Sequence, residues 1–450
     1  MIRLAIVPAW LLLCLVLGGA SNAGFLANLL LQLGALPLIG WALWRLLQPG
    51  APLTPPIRVL LGMLAGLVVL GVLQFVPLPP GLWTHLPGRG PVAAGYQLLG
   101  IPLPWLPLTL APKSALASLL WLLPAVAALL ATVVLGTFRG RWIAGVILGM
   151  TLAGIVVGAL QVIGGDSAYF YEVTNYGVAV GFCANANHNA TLMLVCIPYL
   201  AALQASLVAR ARSPRSASAI RLLVLAAYAV IIVGLILNQS LAGIGLCVPV
   251  SLLSWLAFGR QRPAVRRALV VVTVLASVAA LVAIVVGPFG NNLIGHQTKN
   301  VESSRQTSFA LTLRAAAHYL PVGSGTGSFV PVYHTVEPLE LVTGTYMNHA
   351  HSDWLELLLE TGLAGYALIA AFLVWWAGRL RAIWRAEEPD VFAKAAAIAT
   401  AAVMLHSIVD YPLRTAAIEA AFAVSLGLMA GARPFVRRSR QPSTTRHLTL

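Results

Sequence analysis

Asn348–Gly365 reads NHAHSDWLELLLETGLAG. His349 and His351 come first, then Asp353, Glu356 and Glu360, then an apolar run carrying Gly362 and Gly365. A polar head joined directly to an apolar helix marks a place where a chain enters a bilayer. Ionisable groups at that depth are costly in hydrocarbon, so where they occur they mark function. Asp353 with Glu356 reads as a capping box, which starts the helix just after His351. A neutral His at such a start can accept a proton from a hydroxyl, and its near-neutral titration suits that task. His349 and His351 are two apart, which serves metal pairing on one helical face poorly. Glu356 and Glu360, one turn apart, can orient a His or hold a cation.

Working outward, the 450 residues are 59% hydrophobic and 9% charged, against about 25% charged in a soluble chain. Runs of roughly 20 apolar residues cross the hydrocarbon. Twelve are expected, at 4–20, 25–45, 58–77, 116–135, 142–163, 190–208, 221–238, 241–258, 268–287, 354–378, 392–409 and 414–432. The fold class is therefore an all-α polytopic membrane protein of about 12 spans, with its longest loop between spans 9 and 10. Three regions are expected: 1–180, an N-terminal transmembrane region; 181–432, a second transmembrane domain including loop 288–353; and 433–450, a basic tail. Ala20–Ala23 resembles a signal-peptide cleavage site, but Arg3 alone makes a weak charged start, so the first run reads as a retained span.

The net charge of +15 is a topology signal. Lys and Arg gather in alternate loops, such as Arg210–Arg221 and Arg379–Lys394, and in both tails. The positive-inside bias puts those loops and both termini in the cytoplasm. No nucleic acid is expected as a partner, only membrane lipids. The four cysteines suggest no disulfide framework, and no metal-binding spacing occurs. A central transport path is the competing class, but the spans are nearly free of charge and show no clear internal repeat.

The opposite side holds three long loops, 78–115, 164–189 and 288–353. In the last, residues 305–320 carry a helix-like stripe (Phe309, Leu313, Ala316, Leu320) beside Arg305 and Arg314. This reads as an amphipathic helix lying on the membrane, followed by a tight turn through Gly323, Gly325 and Gly327. Arg presents a fixed fork of donors suited to diphosphate oxygens; the alternative is a snorkelling Arg at phospholipid headgroups. Asn185–Ala190 reads NANHNA. Asn187 and His188 can bind sugar hydroxyls, or the stretch can simply cap a helix. His406 and Asp410, at i and i+4 before Arg414, suit either a structural pair or a substrate site.

The pattern His351-Ser352, nine residues, Gly362, two residues, Gly365 resembles the signature of the O-antigen ligase and polysaccharide polymerase superfamily. The spacing of Arg305 before the Gly323–Gly327 turn, the Asn-rich stretch before His188 and the His406–Arg414 stretch resemble further parts of it, over roughly residues 180–430. The chain departs at Ala186 and Leu241, where the family often has Arg. The resemblance implies a GT-C-like membrane glycosyltransferase of the bacterial inner (cytoplasmic) membrane, with a periplasmic site and a periplasmic loop between spans 9 and 10. It implies metal-independent, inverting transfer of a glycan from undecaprenyl diphosphate to an acceptor hydroxyl, without a cofactor. It assigns His351 as the catalytic residue and Arg305, Arg314 and Arg414 to the diphosphate. Asn187, His188, Asn348, His349, Glu356 and Asp410 go to the glycan or acceptor. The acceptor is a second repeat unit (polymerase of O-antigen or exopolysaccharide, the preferred reading), lipid A core (ligase) or a protein. A flippase and a chain-length regulator are implied as pathway partners.

Overall fold

Every expected apolar run falls on a helix in the computed structural model, which describes residues 2–22, 25–51, 53–136, 140–259, 263–286, 305–342, 347–388 and 390–432. The tail beyond 432, and residues 287–304 of the longest loop, lie outside the described residues. Sixteen α-helices are described: α1 (Ile2–Leu17), α2 (Leu26–Leu46), α3 (Pro55–Leu73), α4 (Pro80–Trp83), α5 (Gly90–Leu98), α6 (Pro112–Leu135), α7 (Gly140–Gly164) and α8 (Ala186–Val208), followed by α9 (Pro214–Asn238), α10 (Leu241–Phe258), α11 (Pro263–Val286), α12 (Arg305–Tyr319), α13 (Phe329–Val336), α14 (Asp353–Arg385), α15 (Val391–His406) and α16 (Ala416–Gly431). Eight of them (α2, α3, α6 to α10 and α14) are long and apolar enough to cross a membrane, while α1, α15 and α16 contain shorter apolar helices. The chain is a multi-pass membrane protein. One detail departs from the all-α expectation: Pro77–Leu78 pairs antiparallel with Leu106–Pro107, closing the 78–115 loop at its base.

The centre is built from α8, α15 and α16, with α1, α6, α7 and α10 around them. Small side chains let these helices approach closely, as membrane interfaces without a hydrophobic driving force require. Ala395, Ala396, Ala397, Ala399 and Ala402 of α15 are buried, as are Ala416, Ala417, Ala420 and Ala421 of α16. Tyr199 of α8 hydrogen-bonds Ser425 of α16 (2.8 Å), and Trp376 Nε1 of α14 donates to Thr400 Oγ1 of α15 (2.9 Å). By contrast α3 and α9 leave Val69, Val72, Leu222, Leu223 and Leu225 exposed, a face suited to lipid.

α15 has 16 residues, a rise of about 24 Å, against about 30 Å of hydrocarbon. Its connection to α16 lies inside the protein, with Ser407, Val409, Asp410, Tyr411, Pro412 and Thr415 all buried. Irregular backbone at such a place needs protein partners, and it has them. Asp353 N–H donates to the Ser407 carbonyl (3.0 Å), and Trp354 Nε1 to the Met404 carbonyl (3.1 Å).

α14 is broken at Gly362, whose backbone (φ 58°, ψ −151°) is left-handed and non-helical. The break leaves helix carbonyls and an N–H without intrahelical partners, and the glycine turn supplies them. Ser324 N–H donates to the Leu359 carbonyl (2.9 Å), Gly325 N–H to the Glu360 carbonyl (2.9 Å), and Leu363 N–H to the Pro321 carbonyl (2.8 Å). A Cβ at Gly323 would come within 2.6 Å of the Glu360 carbonyl oxygen, so the two segments meet backbone to backbone. Gly362 and the Gly323–Gly327 turn thus form one device. A second apolar core, of Leu311, Ala315, Ala316 and Tyr319 with Phe329, Val332, Tyr333, Ala350 and Leu359, ties α12 and α13 to α14. On α12 the expected stripe is corrected: Leu313 is exposed, while Ser308, Leu311, Thr312, Ala315, Ala316 and Tyr319 face inward, because α12 packs on α14.

Candidate active site

Four helices begin at one end of the bundle, within reach of one another. Asn185 caps α8 by accepting from Asn187 N–H (2.8 Å), and Ser240 caps α10 by accepting from Gly243 N–H (3.0 Å). Ser352 caps α14 by accepting from Leu355 N–H (3.4 Å), and α16 starts after Thr415. The caps are wired together. Ser240 Oγ donates to Asn187 Oδ1 (2.7 Å), Asn187 Nδ2 donates to Asp410 Oδ2, and Asp353 N–H also reaches the Asp410 carbonyl (3.2 Å). Helix N-termini carry partial positive charge and N–H groups without intrahelical acceptors, so these four starts can present donors to an anion.

The helix start differs from the capping box expected of Asp353 and Glu356. Ser352 is the cap, because its short hydroxyl reaches the Leu355 N–H. Asp353 turns inward, accepting from Ser407 Oγ (2.8 Å) and Leu413 N–H (3.3 Å). Glu356 turns back to accept from Ala350 N–H (2.9 Å) and from His349 Nδ1 (2.9 Å). The backbone reverses just ahead of the cap through His351, a non-glycine residue at φ 51°, an uncommon conformation that clusters at functional sites.

Tyr411 stands at the middle. His349 lies 4.5 Å from its ring centroid, His188 5.0 Å and His351 5.1 Å. Its hydroxyl accepts from Asn185 Nδ2 (3.3 Å) and Asn348 Nδ2 (3.5 Å). Burial, then the neighbouring Asp410 charge, push the phenol above its ordinary range, so it stays neutral. Behind two of the three histidines stand carboxylates: Asp410 Oδ1 at 3.6 Å from His188 Nε2, and Glu356 at His349. His406 Nδ1 is 2.8 Å from Thr191 Oγ1, one helical turn below.

Seven of the residues picked from sequence therefore come together: His351, Asn187, His188, Asn348, His349, Glu356 and Asp410. Arg414 is close by, with its guanidinium 3.2 Å from Glu356, 3.5 Å from Asp353 and 3.5 Å from Glu360. Burial alone would lower its pKa, but Glu356, Glu360 and Asp353 raise it above the ordinary arginine value. Arg314 is exposed on α12; Arg305 opens the same helix, and its side chain lies outside the described residues. Leu241 opens α10 beside the Asn187–Ser240 contact. Tyr411 and Asn185 were missed as site residues. Only their places in the quoted stretches, beside Asp410 and ahead of His188, pointed to them. Among the described residues no group of three or more His, Cys, Asp or Glu side chains is set to hold a metal ion.

Residues 224–370 match the family model described as O-antigen ligase. The match starts within α9 and ends within α14, taking in the glycine turn, His349, His351 and the Gly362 break. No curated protein matches the chain.

Proposed function

We propose that this chain, whose residues 224–370 match the family model described as O-antigen ligase, is a member of the O-antigen ligase and polysaccharide polymerase superfamily that transfers a glycan from undecaprenyl diphosphate to an acceptor hydroxyl at the outer face of the bacterial inner membrane. The observation that carries this reading is the gathering of His188, His349 and His351 around Tyr411, where the N-termini of α8, α10, α14 and α16 meet. An acceptor hydroxyl needs a weak base and an aimed approach; a departing diphosphate needs positive potential. Both are offered at one end of the bundle, which also speaks against a transport path open to two sides. The positive-inside pattern supports a periplasmic position for that end.

In this reading the acceptor oxygen attacks the anomeric carbon. The bond from that carbon to the diphosphate oxygen breaks with its electron pair, and the anomeric configuration inverts. His351 stands at the attacking hydroxyl. The helix N-termini, Arg305, Arg314 and the exposed 19% of the Arg414 side chain stabilise the leaving group, and Asn187, Asn348 and Asp410 hold sugar hydroxyls. No metal or cofactor enters the scheme. The preferred acceptor is a second lipid-linked repeat unit, which makes the protein a polymerase of O-antigen or exopolysaccharide. A second reading is ligation to lipid A core, in keeping with the word ligase in the description of the matching family model. A flippase and a chain-length regulator are the proposed pathway partners.

The test is His351→Ala in the native host, with surface and lipid-linked glycan separated on gels and protein level checked. Loss of long glycan at normal protein level is expected. Accumulated single repeat units identify a polymerase, accumulated long lipid-linked chains a ligase. An unchanged glycan profile overturns the role of His351.

A further inference from the structure

Two of the three histidines around Tyr411 are backed by a carboxylate, and the two pairs differ in access. The His188 and Asp410 side chains are both 0% exposed. That pair is sealed among α8, α15 and the α15–α16 turn and is suited to holding the helices in register. The His349 side chain is 16% exposed while its partner Glu356 is 2% exposed. This pair has its carboxylate inside the protein and its imidazole at the edge of accessible space.

Three donors converge on Glu356: His349 Nδ1 on Oε1 (2.9 Å), Ala350 N–H on Oε2 (2.9 Å) and Arg414 Nη2 on Oε1 (3.2 Å). A carboxylate so surrounded is acceptor only. The proton of a neutral His349 must then sit on Nδ1, which leaves the Nε2 lone pair free to accept. A carboxylate that fixes the tautomer and ring of a histidine, and stabilises the imidazolium formed on protonation, is the orienting device of acid–base catalysis. Tyr411 supplies the other constraint, since the His349 ring lies tilted against it at 38°.

We infer that His349, oriented by Glu356 and clamped through Arg414, takes the proton of the attacking acceptor hydroxyl. The inference rests on the glycosyl-transfer reading above and divides the labour within it. The O–H bond of the acceptor breaks as its oxygen bonds to the anomeric carbon. The proton passes to His349 Nε2, and the diphosphate leaves with the electron pair of the broken C–O bond. His351, turned by its left-handed backbone, aims the hydroxyl. Glu356 is a positioning residue and does not touch the substrate.

The experiment uses the full chain in lipid nanodiscs with the lipid-linked glycan extract of the native host, reading release of polyprenyl diphosphate. His349→Gln is expected to lower kcat by about 10²–10⁴-fold, the usual worth of a general base, with KM unchanged. Glu356→Asp is expected to keep more activity than Glu356→Gln, because it preserves the charge that fixes the tautomer. Added imidazole is expected to restore part of the activity of His349→Ala. His334→Gln, at a side chain 45% exposed on α13 and paired with Glu337, which the scheme does not use, serves as the control and keeps the wild-type rate. A His349→Gln rate within about threefold of wild type, with transfer lost only in His351 variants, overturns the inference and leaves the transferase reading standing. A loss confined to KM also overturns it. A folded wild-type protein that releases no polyprenyl diphosphate from the extract overturns the transferase reading itself.

Discussion

Two arginines at opposite ends of the bundle, the buried Arg379 and the partly exposed Arg414, are satisfied in different ways. Arg379, near the end of α14, is 8% exposed and donates to backbone only: Nε and Nη2 to the Met429 carbonyl (3.0 and 2.9 Å) and Nη2 to the Ala432 carbonyl (2.6 Å). It closes the C-terminus of α16, whose last carbonyls have no intrahelical partner, and a cation there also suits the helix dipole. Arg414 sits at the other end among Asp353, Glu356 and Glu360, with Glu419 also acting on it electrostatically. One cation facing four acidic groups is more than a helix cap requires. At the Arg379 end the polar groups balance and the arrangement is structural. At the Arg414 end acidic groups are in excess, and one of them holds a partly exposed histidine. The contrast separates an arginine that finishes a fold from one that maintains a reactive site.

Arg414→Met should therefore produce the largest effect. It leaves carboxylates buried without their cation, a change that costs about 3–5 kcal/mol when one partner of a buried pair is removed. The folded yield from membranes should fall sharply, and the protein that remains should lack transfer, because Glu356 loses a donor that keeps it an acceptor. Yield by fluorescence-detected gel filtration and rate per folded molecule check this. Arg379→Met should cost less, about 1–3 kcal/mol for carbonyls left unpaired, and it should leave the rate per folded molecule unchanged. If Arg379→Met abolished transfer in well-folded protein, the division between a structural end and a reactive end would fail.

The same division explains what the sequence could tell. The helices were legible because roughly 20 apolar residues in a row have few alternatives in a bilayer, and each expected run falls on a helix. The candidate site was legible as separate stretches: NHAHS, the Asn-rich lead to His188, and His406–Arg414. Their assembly was not, because the contacts that define it join positions 223 or 226 apart in the chain, as Asn187 does with Asp410 and Asn185 with Tyr411. Tyr411 looks in sequence like any aromatic residue near a membrane surface. Glu356 looked like part of a capping box because the spacing fits, but the Ser352 hydroxyl won the cap and freed Glu356 for His349. The stripe on α12 was misplaced because the periodicity of Phe309 and Leu313 assumes a lipid face, whereas α14 selects the face bearing Leu311, Ala315 and Tyr319.

Tyr411→Phe gives the smallest effect and the finest test of the contrast. The phenyl ring stays, so the packing of His188, His349 and His351 against it is kept. Only the acceptor for Asn185 and Asn348 is lost, at 3.3 and 3.5 Å. Amides left without that acceptor should cost about 1 kcal/mol of stability, seen as a small fall in the unfolding midpoint in detergent. If the ring is what holds the histidines, kcat should fall by less than about tenfold, which corresponds to about 1.4 kcal/mol in the transition state. A much larger fall, with stability intact, would mean that the hydroxyl acts on the reacting groups. Tyr411 would then belong with Arg414 among the residues that maintain the reaction, and the buried core of the site would be chemical as well as structural.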